Sequence, residues 1–489
     1  MTRRALLLAT GAVAGGLAVR AVGPKNPSLA GIAPVPAHVG TLNDASLLSE
    51  TPVYRHIIVR DDPGEALIAA LRAELKDAAA SGRAVNIGAA RHSMGGQAIP
   101  RDGQAITLDS RFLQPDTAAG SYLVQAGVRW RDVITALDPL GFSPKVMQSN
   151  HDFGLASTFS VNAHGWPVPF GPMGSTVRAV QMLLPDGSHI KASRRDHPDL
   201  FNAAMGGYGL IGLITKLEVE MVPNQRLAPH FTELPATDFA PAFLTAIADP
   251  AIPMAYGRLN VDRARFFQDA LLVTYSPTPD QSGLPPAAGS GFVSQISRQI
   301  FRAQLGNEPV KTWRWRVETD IGPAIAGEAT RNSLLNEPVI TLDDRDPRRT
   351  DILHEYFVPP EAFPAFLQAC AEVIPNSYQE LLNVTLRYVA ADPLSLLAYA
   401  PAARIAAVML FSQEMTGRGE ADMARMTREL IERVLAIGGT YYLPYRLHAT
   451  QDQLIRAYPR LVEFIAAKRT VDPAGILRNA LWDGYLRTL

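Results

Sequence analysis

The sequence is organised around a glycine-rich turn at residues 88–97, which follows a short apolar segment. From Ile87 onward it reads Ile-Gly-Ala-Ala-Arg-His-Ser-Met-Gly-Gly-Gln. Glycine permits positive φ angles and a close approach of the backbone to a ligand. Backbone N–H groups beside the guanidinium of Arg91 would then form a binding site for an anionic group such as a phosphate. The alternative is a surface turn between two strands, since most glycine-rich turns bind nothing.

The segments before the turn predict an α/β layer. Residues 55–60 have the residue types of a strand, and residues 62–65 (Asp-Pro-Gly-Glu) combine the signals of a helix start. The helix that follows carries a leucine stripe and ends near Gly82, and a second strand over residues 85–88 leads into the turn. A strand, a helix and a strand that ends in a glycine turn are typical of α/β structure.

The rest of the chain alternates predicted strands with predicted helices. Strands are predicted at residues 105–108, 122–128, 177–184, 189–192, 213–222, 354–358, 382–389 and 406–412. Helices are predicted at residues 130–140, 199–205, 421–437 and 454–468, the last interrupted at Pro459. Met423 and Met426 lie on the apolar face of one of these helices, and we interpret them as core residues.

Two further stretches are rich in glycine or in small polar residues. Residues 148–165 have little strand or helix periodicity, which predicts either a long loop or a ligand-lining passage. Residues 207–212 contain a literal G-x-G-x-x-G. That motif binds dinucleotides when it follows a strand and opens a helix. Here a predicted helix precedes it and a predicted strand follows it, so the Rossmann interpretation fails.

Length and composition narrow the function classes. A chain of 489 residues predicts two or three domains, and a net charge of −1 argues against nucleic acid or an anionic membrane as partner. The single cysteine, Cys370, excludes an internal disulfide, and the histidines form no H-x-x-x-H pair, so no metal site is predicted. Ser93 lacks the glycine two residues earlier that a hydrolase nucleophile elbow requires.

The N-terminal 40 residues resemble an export signal. Arg3 and Arg4 precede an uncharged apolar run over residues 5–19, and a proline- and glycine-rich tract follows up to Gly40. This run is short for a membrane span and has the layout of a signal peptide. The paired arginines favour a twin-arginine signal, which suits a protein exported with its cofactor. We therefore predict a periplasmic protein with residues 1–40 as signal peptide and linker; a Sec signal or an uncleaved anchor is the alternative.

Four blocks in register carry a family resemblance. They are the glycine-rich turn, Ala126-Gly-Val-Arg-Trp130, Ser160-Val-Asn-Ala-His-Gly165 and Gly206-Gly-Tyr-Gly-Leu-Ile-Gly-Leu-Ile214. In order and spacing they resemble the FAD domain of the vanillyl-alcohol oxidase (p-cresol methylhydroxylase) superfamily. The closing stretch from Asp472 to Tyr485 is similar to that family's C-terminal return. The resemblance favours the anion-binding interpretation of the turn.

The resemblance implies an α+β fold with FAD as cofactor. The implied parts are a two-subdomain FAD-binding domain at residues 50–225, an α/β cap or substrate domain at 226–439, and a C-terminal segment at 440–489 that returns to the FAD-binding domain. The FAD pyrophosphate would lie in the glycine-rich turn, with later blocks lining the flavin. The implied cofactor-binding residues are Gly88, Ala89, Ala90, Arg91, His92, Ser93, Gly95, Gly96, Gln97, Ser149, Gly154, Ser157, Thr158, Ser160, Asn162, His164, Gly165, Gly207, Gly209, Ile211, Gly212, Ile214 and Asn479.

His92 occupies the position at which this family often links histidine covalently to the flavin methyl group. A nucleophilic imidazole held against an electrophilic methyl group can react without a further catalyst. The alternative is a histidine that only donates or accepts a hydrogen bond, as in relatives without the link. A second, cysteinyl link is excluded because Cys370 lies outside the four blocks.

The substrate side is predicted from two cap segments. His354-Glu-Tyr-Phe-Val358 and Asn383-Val-Thr-Leu-Arg-Tyr-Val389 are similar to strands of alditol and sugar-lactone oxidases, where a carboxylate and an arginine face the flavin. Glu355 would take the hydroxyl proton and Arg387 would supply the cation; the alternative for both is a structural ion pair. Arg446 and His448 are further polar candidates. Relatives often carry a lysine in the stretch around Arg446 and His448, and this sequence has none there.

The resemblance thus predicts an FAD enzyme that oxidises a hydroxyl of a polyol, sugar or sugar lactone, with oxygen or another electron acceptor. Residues 438–442 and 458–460 also resemble decaprenylphosphoryl-ribose oxidases, which act on a lipid-linked sugar. A proline-, glycine- and serine-rich loop at residues 277–291 would suit that second type. A flavin-binding protein without turnover is the non-enzymatic alternative. The small-molecule substrate itself is not predicted.

Overall fold

The structure is a computed structural model that describes residues 37–60, 64–288, 301–337 and 346–489. Most of the predicted signal peptide, the Asp-Pro pair of the first predicted helix start and the end of the 277–291 loop lie outside the described residues. Among the described residues, no helix is both long and apolar enough to cross a membrane.

The described strands form four sheets. They are β1 (Thr41–Leu42), β2 (Thr51–Pro52), β3 (Arg55–Arg60), β4 (Val85–Gly88), β5 (Gln104–Asp109), β6 (Leu113–Asp116), β7 (Ser121–Gln125), β8 (Phe142–Pro144), β9 (Val177–Leu183), β10 (His189–Ser193), β11 (Leu213–Pro223), β12 (Arg226–Pro235), β13 (Met254–Leu259), β14 (Asp269–Pro277), β15 (Ala329–Thr330), β16 (Arg349–Val358), β17 (Glu380–Val389), β18 (Arg404–Glu414) and β19 (Thr440–Tyr441).

The α-helices accompany these sheets. They are α1 (Glu65–Ser81), α2 (Trp130–Leu137), α3 (Leu155–Ser160), α4 (Pro198–Ala204), α5 (Phe239–Ile247), α6 (Glu308–Arg316), α7 (Gly322–Ile325), α8 (Arg331–Leu335), α9 (Phe363–Val373), α10 (Gly417–Ala436), α11 (Gln451–Ala457) and α12 (Leu461–Val471).

The first large unit is a three-stranded parallel sheet in the order β3-β5-β4. Parallel neighbours need a crossover, and α1 supplies it between β3 and β4. The predicted leucine stripe of α1 is buried, and the helix ends as predicted at Gly82, which adopts φ 65°. The strand over residues 85–88 is confirmed and runs directly into the glycine-rich turn.

The second unit is a sheet in the order β10-β9-β11-β7-β6, with β8 paired to β11. The hairpin predicted at residues 177–192 is confirmed as the antiparallel pair β9 and β10. The strand predicted to run to residue 128 ends at Gln125, because the chain turns there and Val128 donates to the Gln125 carbonyl. The polar stretch 148–165 is not wholly irregular, since α3 lies within it.

The third unit is an eight-stranded sheet in the order β15-β12-β14-β13-β17-β18-β16-β19. Its recorded strand pairs are all antiparallel, in contrast to the parallel pairing that an α/β cap implies. Helix α10 packs behind β16 and β18. Met423 and Met426 of that helix are fully buried, which confirms their assignment to the core.

The C-terminal segment contacts both the eight-stranded sheet and the glycine-rich turn. Strand β19 pairs with β16. Leu477 bridges to Val85 at the start of β4, and the Asn479 side chain donates to the carbonyls of Gln97 and Tyr208. The last residues therefore hold the turn, the second sheet and the eight-stranded sheet close to one another.

Gly165 allows the closest backbone approach in this region. A Cβ atom at this position would lie well inside van der Waals contact with the carbonyl oxygen of Met147. We expect Gly165→Ala to lower the free energy of unfolding by about 3 kcal/mol, because backbone cannot yield as a flexible side chain can. Chemical denaturation measures the change. Gly327→Ala is the control, since its added Cβ would meet no atom within 4 Å; equal effects of the two substitutions would contradict the expectation.

Candidate active site

A cavity of about 1280 Å³ opens between the glycine-rich turn and the eight-stranded sheet. Its walls come from the turn, from residues 148–166, from the loop before β11, and from one face of strands β13, β16, β17 and β18. The alternation of side chains along each strand decides which residues of the sheet reach it. The cavity thus joins parts of the chain that are far apart in sequence.

The first half of the glycine-rich turn faces the cavity. The residues from Gly88 to Ser93 all line it, and Arg91 adopts a positive φ of 53°. Among the described residues, the backbone N–H groups of Ala89, Ala90 and Ser93 have no hydrogen-bond acceptor. His92 also lines the cavity and packs on Phe153 with ring centroids 4.3 Å apart. Donors without acceptors on a cavity wall are what an anion site requires.

Two buried arginines add positive charge beside the turn. Arg91 Nη1 donates to Thr107 Oγ1 at 2.7 Å, while its Nη2 atom and Nη1 of Arg129 are buried without a hydrogen-bond partner among the described residues. Neither arginine has a carboxylate within 4.0 Å in the described part of the chain. Burial and the charge of Arg129 lower the pKa of Arg91 to about 10, and burial also lowers the pKa of Arg129. A bound dianion would relieve both unfavourable effects.

The second half of the turn is structural. Gly95 donates its N–H to Gln97 Oε1 at 2.9 Å, and Gly96 donates to the buried carboxyl of Asp44 at 2.7 Å. The Gln97 side chain in turn donates to the carbonyls of Leu443 and Tyr445. Gln97 still lines the cavity, whereas Gly95 and Gly96 do not. Their N–H groups already bind protein acceptors, and their contact with the cofactor stays a prediction.

The other predicted cofactor residues also divide into a group that lines the cavity and a group that does not. Those that line the cavity are Ser149, Gly154, Ser157, Thr158, Ser160, His164, Gly209, Gly212 and Ile214. Those outside the lining are Asn162, Gly165, Gly207, Ile211 and Asn479. Asn162 and Asn479 use their amides to hold neighbouring loops, as in the 2.8 Å bond from Asn162 to Asp392. The glycines outside the lining are needed where backbone segments approach one another, as Gly207 does at the Ala203 carbonyl.

A buried acid–base cluster lies on the sheet side of the cavity. Glu355 Oε1 and His164 Nε2 form a short hydrogen bond, and Tyr445 donates its hydroxyl to Glu355 Oε2 at 3.0 Å. The Nδ1 atom of His164 is buried and has no partner among the described residues. Burial and the neighbouring Glu355 raise the pKa of Tyr445 well above its usual value, so this phenol remains a donor. The sequence predicts His164 as a cofactor-binding residue, and its hydrogen bond to Glu355 is a feature that only the structure reveals.

Arg387 lies beside this cluster on β17. Its Nη2 atom donates to Ser149 Oγ at 2.6 Å, and its Nε atom is buried without a partner among the described residues. Burial lowers the pKa of Arg387, and the charge of Glu355 opposes that shift. The two side chains form no ion pair within 4.0 Å in the described structure, unlike the structural alternative for them. Both groups face the cavity.

Arg446 and His448 lie outside the cavity lining, which differs from the prediction. Arg446 Nη2 pairs with Glu420 Oε1 at 2.6 Å and His448 Nε2 with the same oxygen at 2.9 Å. Glu420 is on α10, behind the sheet, so this cluster ties the C-terminal segment to that helix. The difference arises because neighbouring side chains of an extended segment point to opposite sides. Tyr445 points into the cavity, so the next side chain, Arg446, points away from it.

Sequence reasoning missed three lining groups. Arg129 stands inside the second resemblance block, and Tyr445 lies next to the predicted Arg446, so both had a signal. Arg258 of β13 had none, because its place in the cavity depends on how β13 pairs with β17. Among the described lining residues there is no lysine.

These features fit the pyrophosphate of FAD. The unpartnered guanidinium atoms, the unpartnered N–H groups and the glycine backbone at residues 88, 209 and 212 lie on one wall of one cavity. The neighbouring wall of residues 149–166 offers both polar and apolar side chains to a flavin ring.

Comparison with known proteins agrees with this assignment. The FAD binding domain family matches residues 67–193, which include the glycine-rich turn and the cavity-lining stretch 148–166. An alditol oxidase from Streptomyces sp. is 30% identical over 152 residues, 30% of this chain and 36% of that protein. An L-galactono-1,4-lactone dehydrogenase from Oryza sativa subsp. japonica is 27% identical over 139 residues, 28% of this chain and 24% of that protein. The chain thus spans about a quarter to a third of the length of these relatives.

A third relative aligns over more of the chain. A decaprenylphosphoryl-beta-D-ribose oxidase from Mycolicibacterium smegmatis is 23% identical over 465 residues, 88% of this chain and 94% of that protein. The predicted resemblance and the predicted cofactor are both confirmed by these matches. The protein therefore contains an FAD-binding domain, takes FAD as its cofactor and is related to oxidases and dehydrogenases of sugars, sugar lactones and alditols.

Proposed function

We propose that this protein oxidises a CH–OH group of a polyol, sugar or sugar lactone. The observation that carries the proposal is the buried cluster of Glu355, His164 and Tyr445, which shares one cavity with the glycine-rich turn. We further propose that the β3-β5-β4 sheet and the sheet of β6 to β11 form the two subdomains of the FAD-binding domain. The eight-stranded sheet would be the substrate-binding cap. The names of the related oxidases and dehydrogenases support the reaction class.

Bound FAD would supply the two-electron acceptor for a hydride from the carbinol carbon. Arg91 and Arg129 would bind its pyrophosphate together with the N–H groups of the turn. Residues of the 149–164 wall would exclude water from the reacting end. The protein thereby fixes the position of the cofactor against the face of the sheet.

Glu355 is the group that would accept the hydroxyl proton of the substrate. It lies on the cavity wall, and its two oxygens are already oriented by His164 and Tyr445, so little reorganisation precedes proton transfer. His164 has a second ring nitrogen that no described residue contacts, which leaves it able to bind a substrate hydroxyl. Arg387 adds a positive charge near Glu355, where negative charge develops as the alcohol is oxidised.

The test is anaerobic mixing of the FAD-loaded protein with alditols, aldoses and aldonolactones. Loss of the flavin absorbance on addition of any of these compounds supports the proposal. A flavin that stays oxidised with every member of the panel, while dithionite still reduces it, contradicts the proposal and favours the flavin-binding protein without turnover. Reoxidation with air or with an artificial acceptor then separates oxidase from dehydrogenase.

Arg91→Met tests the pyrophosphate site. We expect FAD to bind about 10- to 100-fold more weakly, because the charge-assisted hydrogen bonds of a guanidinium to a phosphate are lost. Titration of the apoprotein with FAD, followed by flavin fluorescence, measures the dissociation constant. Arg101→Met, which removes an exposed arginine, is the control. Equal affinities of the two variants would place the pyrophosphate elsewhere.

His92→Ala tests the covalent link that we propose between this residue and the flavin. We expect the wild-type polypeptide to stay yellow after denaturation and precipitation, and the variant to release all of its flavin. Absorbance of the washed precipitate at the flavin maximum measures the bound fraction. Flavin that remains attached in the variant would show another residue to be the site of linkage.

A lipid-linked sugar is the second candidate substrate. The observation that favours it is the alignment with decaprenylphosphoryl-beta-D-ribose oxidase, which extends over 88% of this chain. A polyprenylphosphoryl pentose in detergent belongs in the reduction panel for this reason. Faster flavin reduction by that compound than by any water-soluble sugar would favour the second candidate.

We also propose export to the periplasm through the twin-arginine system. The paired Arg3 and Arg4 before an apolar run support it. Replacement of both arginines by lysine should leave the protein in the cytoplasmic fraction, as measured by immunoblotting of separated compartments. Unchanged periplasmic accumulation would contradict this route.

A further inference from the structure

We propose that the substrate carries an acid group, a carboxylate or a phosphate ester, at the end remote from the carbon that is oxidised. Arg258 of β13 would bind this group with help from Arg387. The inference rests on the proposed function, since it extends the substrate class of the same cavity. Its evidence is the arrangement of charges on the cavity face of the eight-stranded sheet.

A single row of residues crosses this sheet from the acid–base cluster to Arg258. Glu355 of β16 is paired with Val408 of β18, Val408 with Thr385 of β17, and Thr385 with Arg258 of β13. Directly paired residues lie on the same face of a sheet, and all four line the cavity. Three strand spacings separate the ends of the row, so their Cα atoms are roughly 14 Å apart.

That separation matches a small sugar derivative. The side chains of Glu355 and Arg258 both reach into the cavity and shorten the gap between their polar ends. What remains suits a chain of five or six carbon atoms with one end at Glu355 and the other at Arg258. Thr385 and Arg387, on the strand between them, would face the middle of such a chain.

The charges of this region are unevenly paired. Arg314 is matched by Glu318 at 2.6 Å, and Arg302 is matched by Asp351. Arg258 hydrogen-bonds to the Thr385 hydroxyl, but neither it nor Arg387 has a carboxylate within 4.0 Å among the described residues. Glu318 also attracts Arg258, and Glu355 is the second carboxyl group of this part of the described lining. The three guanidinium groups of Arg258, Arg314 and Arg387 face these two carboxyl groups, which leaves an excess of one positive charge on this wall.

Partly buried guanidinium groups in excess favour an anionic ligand. Arg387 feels the repulsion of Arg258, which contributes to its lowered pKa, and its Nε atom is buried without a partner in the described structure. A guanidinium offers two parallel N–H donors that match a carboxylate or a phosphate, whereas a neutral hydroxyl would leave one of them unused. Trp166 Nε1 is a further buried donor on this wall with no partner among the described residues.

The test compares matched substrates that differ only at the remote end. D-Glucose, D-glucose 6-phosphate and D-glucuronate share the same C1 carbinol, and D-ribose with D-ribose 5-phosphate forms a shorter series. We expect the acid members to reduce the flavin with at least tenfold higher kcat/KM than the neutral ones. Comparison of the sugar phosphates with D-glucuronate shows whether the site prefers a phosphate ester or a carboxylate.

Arg258→Met should abolish this preference, lowering kcat/KM of the acid members about 10- to 100-fold more than kcat/KM of the neutral members. Arg258→Lys should retain part of the preference, because it keeps the charge. Arg263→Met removes an exposed arginine at the surface and is the matched control. The flavin spectrum and the unfolding temperature of each variant report whether it is folded.

Binding of inorganic phosphate gives a readout that does not depend on turnover. Calorimetry should detect phosphate binding to the FAD-loaded wild type and at least tenfold weaker binding to Arg258→Met. If phosphate binds but no compound reduces the flavin, the result contradicts the proposed function and still supports the acid-binding site at Arg258. Three results would overturn the acid site and leave the proposed function standing. The first is equal turnover of neutral and acid members. The others are a preference for acid members that survives in Arg258→Met, and phosphate binding that Arg258→Met does not change.

Discussion

Glu355→Gln is expected to slow anaerobic flavin reduction by about a thousandfold, within the range that general base catalysis supplies. The amide keeps the size of the side chain and can still bind His164 and Tyr445, but it cannot take the hydroxyl proton. Stopped-flow absorbance at saturating substrate measures the reduction rate directly. FAD affinity should stay unchanged, because Glu355 lies on the sheet wall and not beside the pyrophosphate arginines.

Two further variants separate a base from a structural carboxyl group. Tyr445→Phe removes one hydrogen bond to Glu355 and should reduce the rate about tenfold, the usual worth of one such bond. Glu361→Gln alters an exposed carboxyl group near the start of α9 and should have no effect. If Glu355→Gln reduces flavin as fast as the wild type, the proton is taken by another group and the cluster is structural.

Acid should destabilise this protein through the buried imidazole of His354. Burial lowers the pKa of His354 from 6.5 to about 3, and the neighbouring His448 adds to the shift. His354 is held between Tyr356 and Thr427, both at 3.2 Å. A folded-state pKa below the unfolded value means that the unfolded chain binds the proton first. The stabilising effect is therefore present above pH 6.5 and is lost as the pH falls from 6.5 towards 3.

The expected loss is about 2 kcal/mol of unfolding free energy between pH 6.5 and pH 4.5, because one proton contributes about 1.4 kcal/mol per pH unit and the unfolded imidazole is only half protonated at pH 6.5. Urea denaturation at fixed pH values across that window measures it. His354→Gln should be less stable at neutral pH and should show a shallower dependence on pH. His197→Gln, at an exposed histidine, is the control. Parallel curves for wild type and His354→Gln would contradict the prediction.

Local sequence signals predicted the elements of the FAD-binding part well. The order of strand, helix, strand and glycine-rich turn from Arg55 to Gln97 is confirmed, because leucine spacing and glycine φ angles act within a few residues. The predicted helix start differs, since the helix begins at Glu65 with Gly64 as N-cap and no side-chain cap bond. The G-x-G-x-x-G at residues 207–212 was rightly separated from a Rossmann site by its neighbours, a helix before and a strand after. Element boundaries shifted by a few residues, as at Gln125.

The composition of the candidate site was predictable only in part. Glu355 and Arg387 could be identified from strand segments, and both line the cavity. The contact of Glu355 with His164 joins residues 191 positions apart, and no local pattern reports such a contact. Arg446 and His448 were predicted on the same grounds but are paired with Glu420 behind the sheet. Residue type alone does not say which side of a strand or loop faces a cavity.

What the sequence by itself determined is the set of segments and the glycine-rich turn at residues 88–97, since both depend on interactions within one turn or one strand. The tertiary structure decided which side chains meet. Arg258 and Glu355 fall in one row because four strands pair in one register, and a shift of one residue would send either to the opposite face. Register depends on the packing of the whole sheet, so it is settled only when the chain is folded.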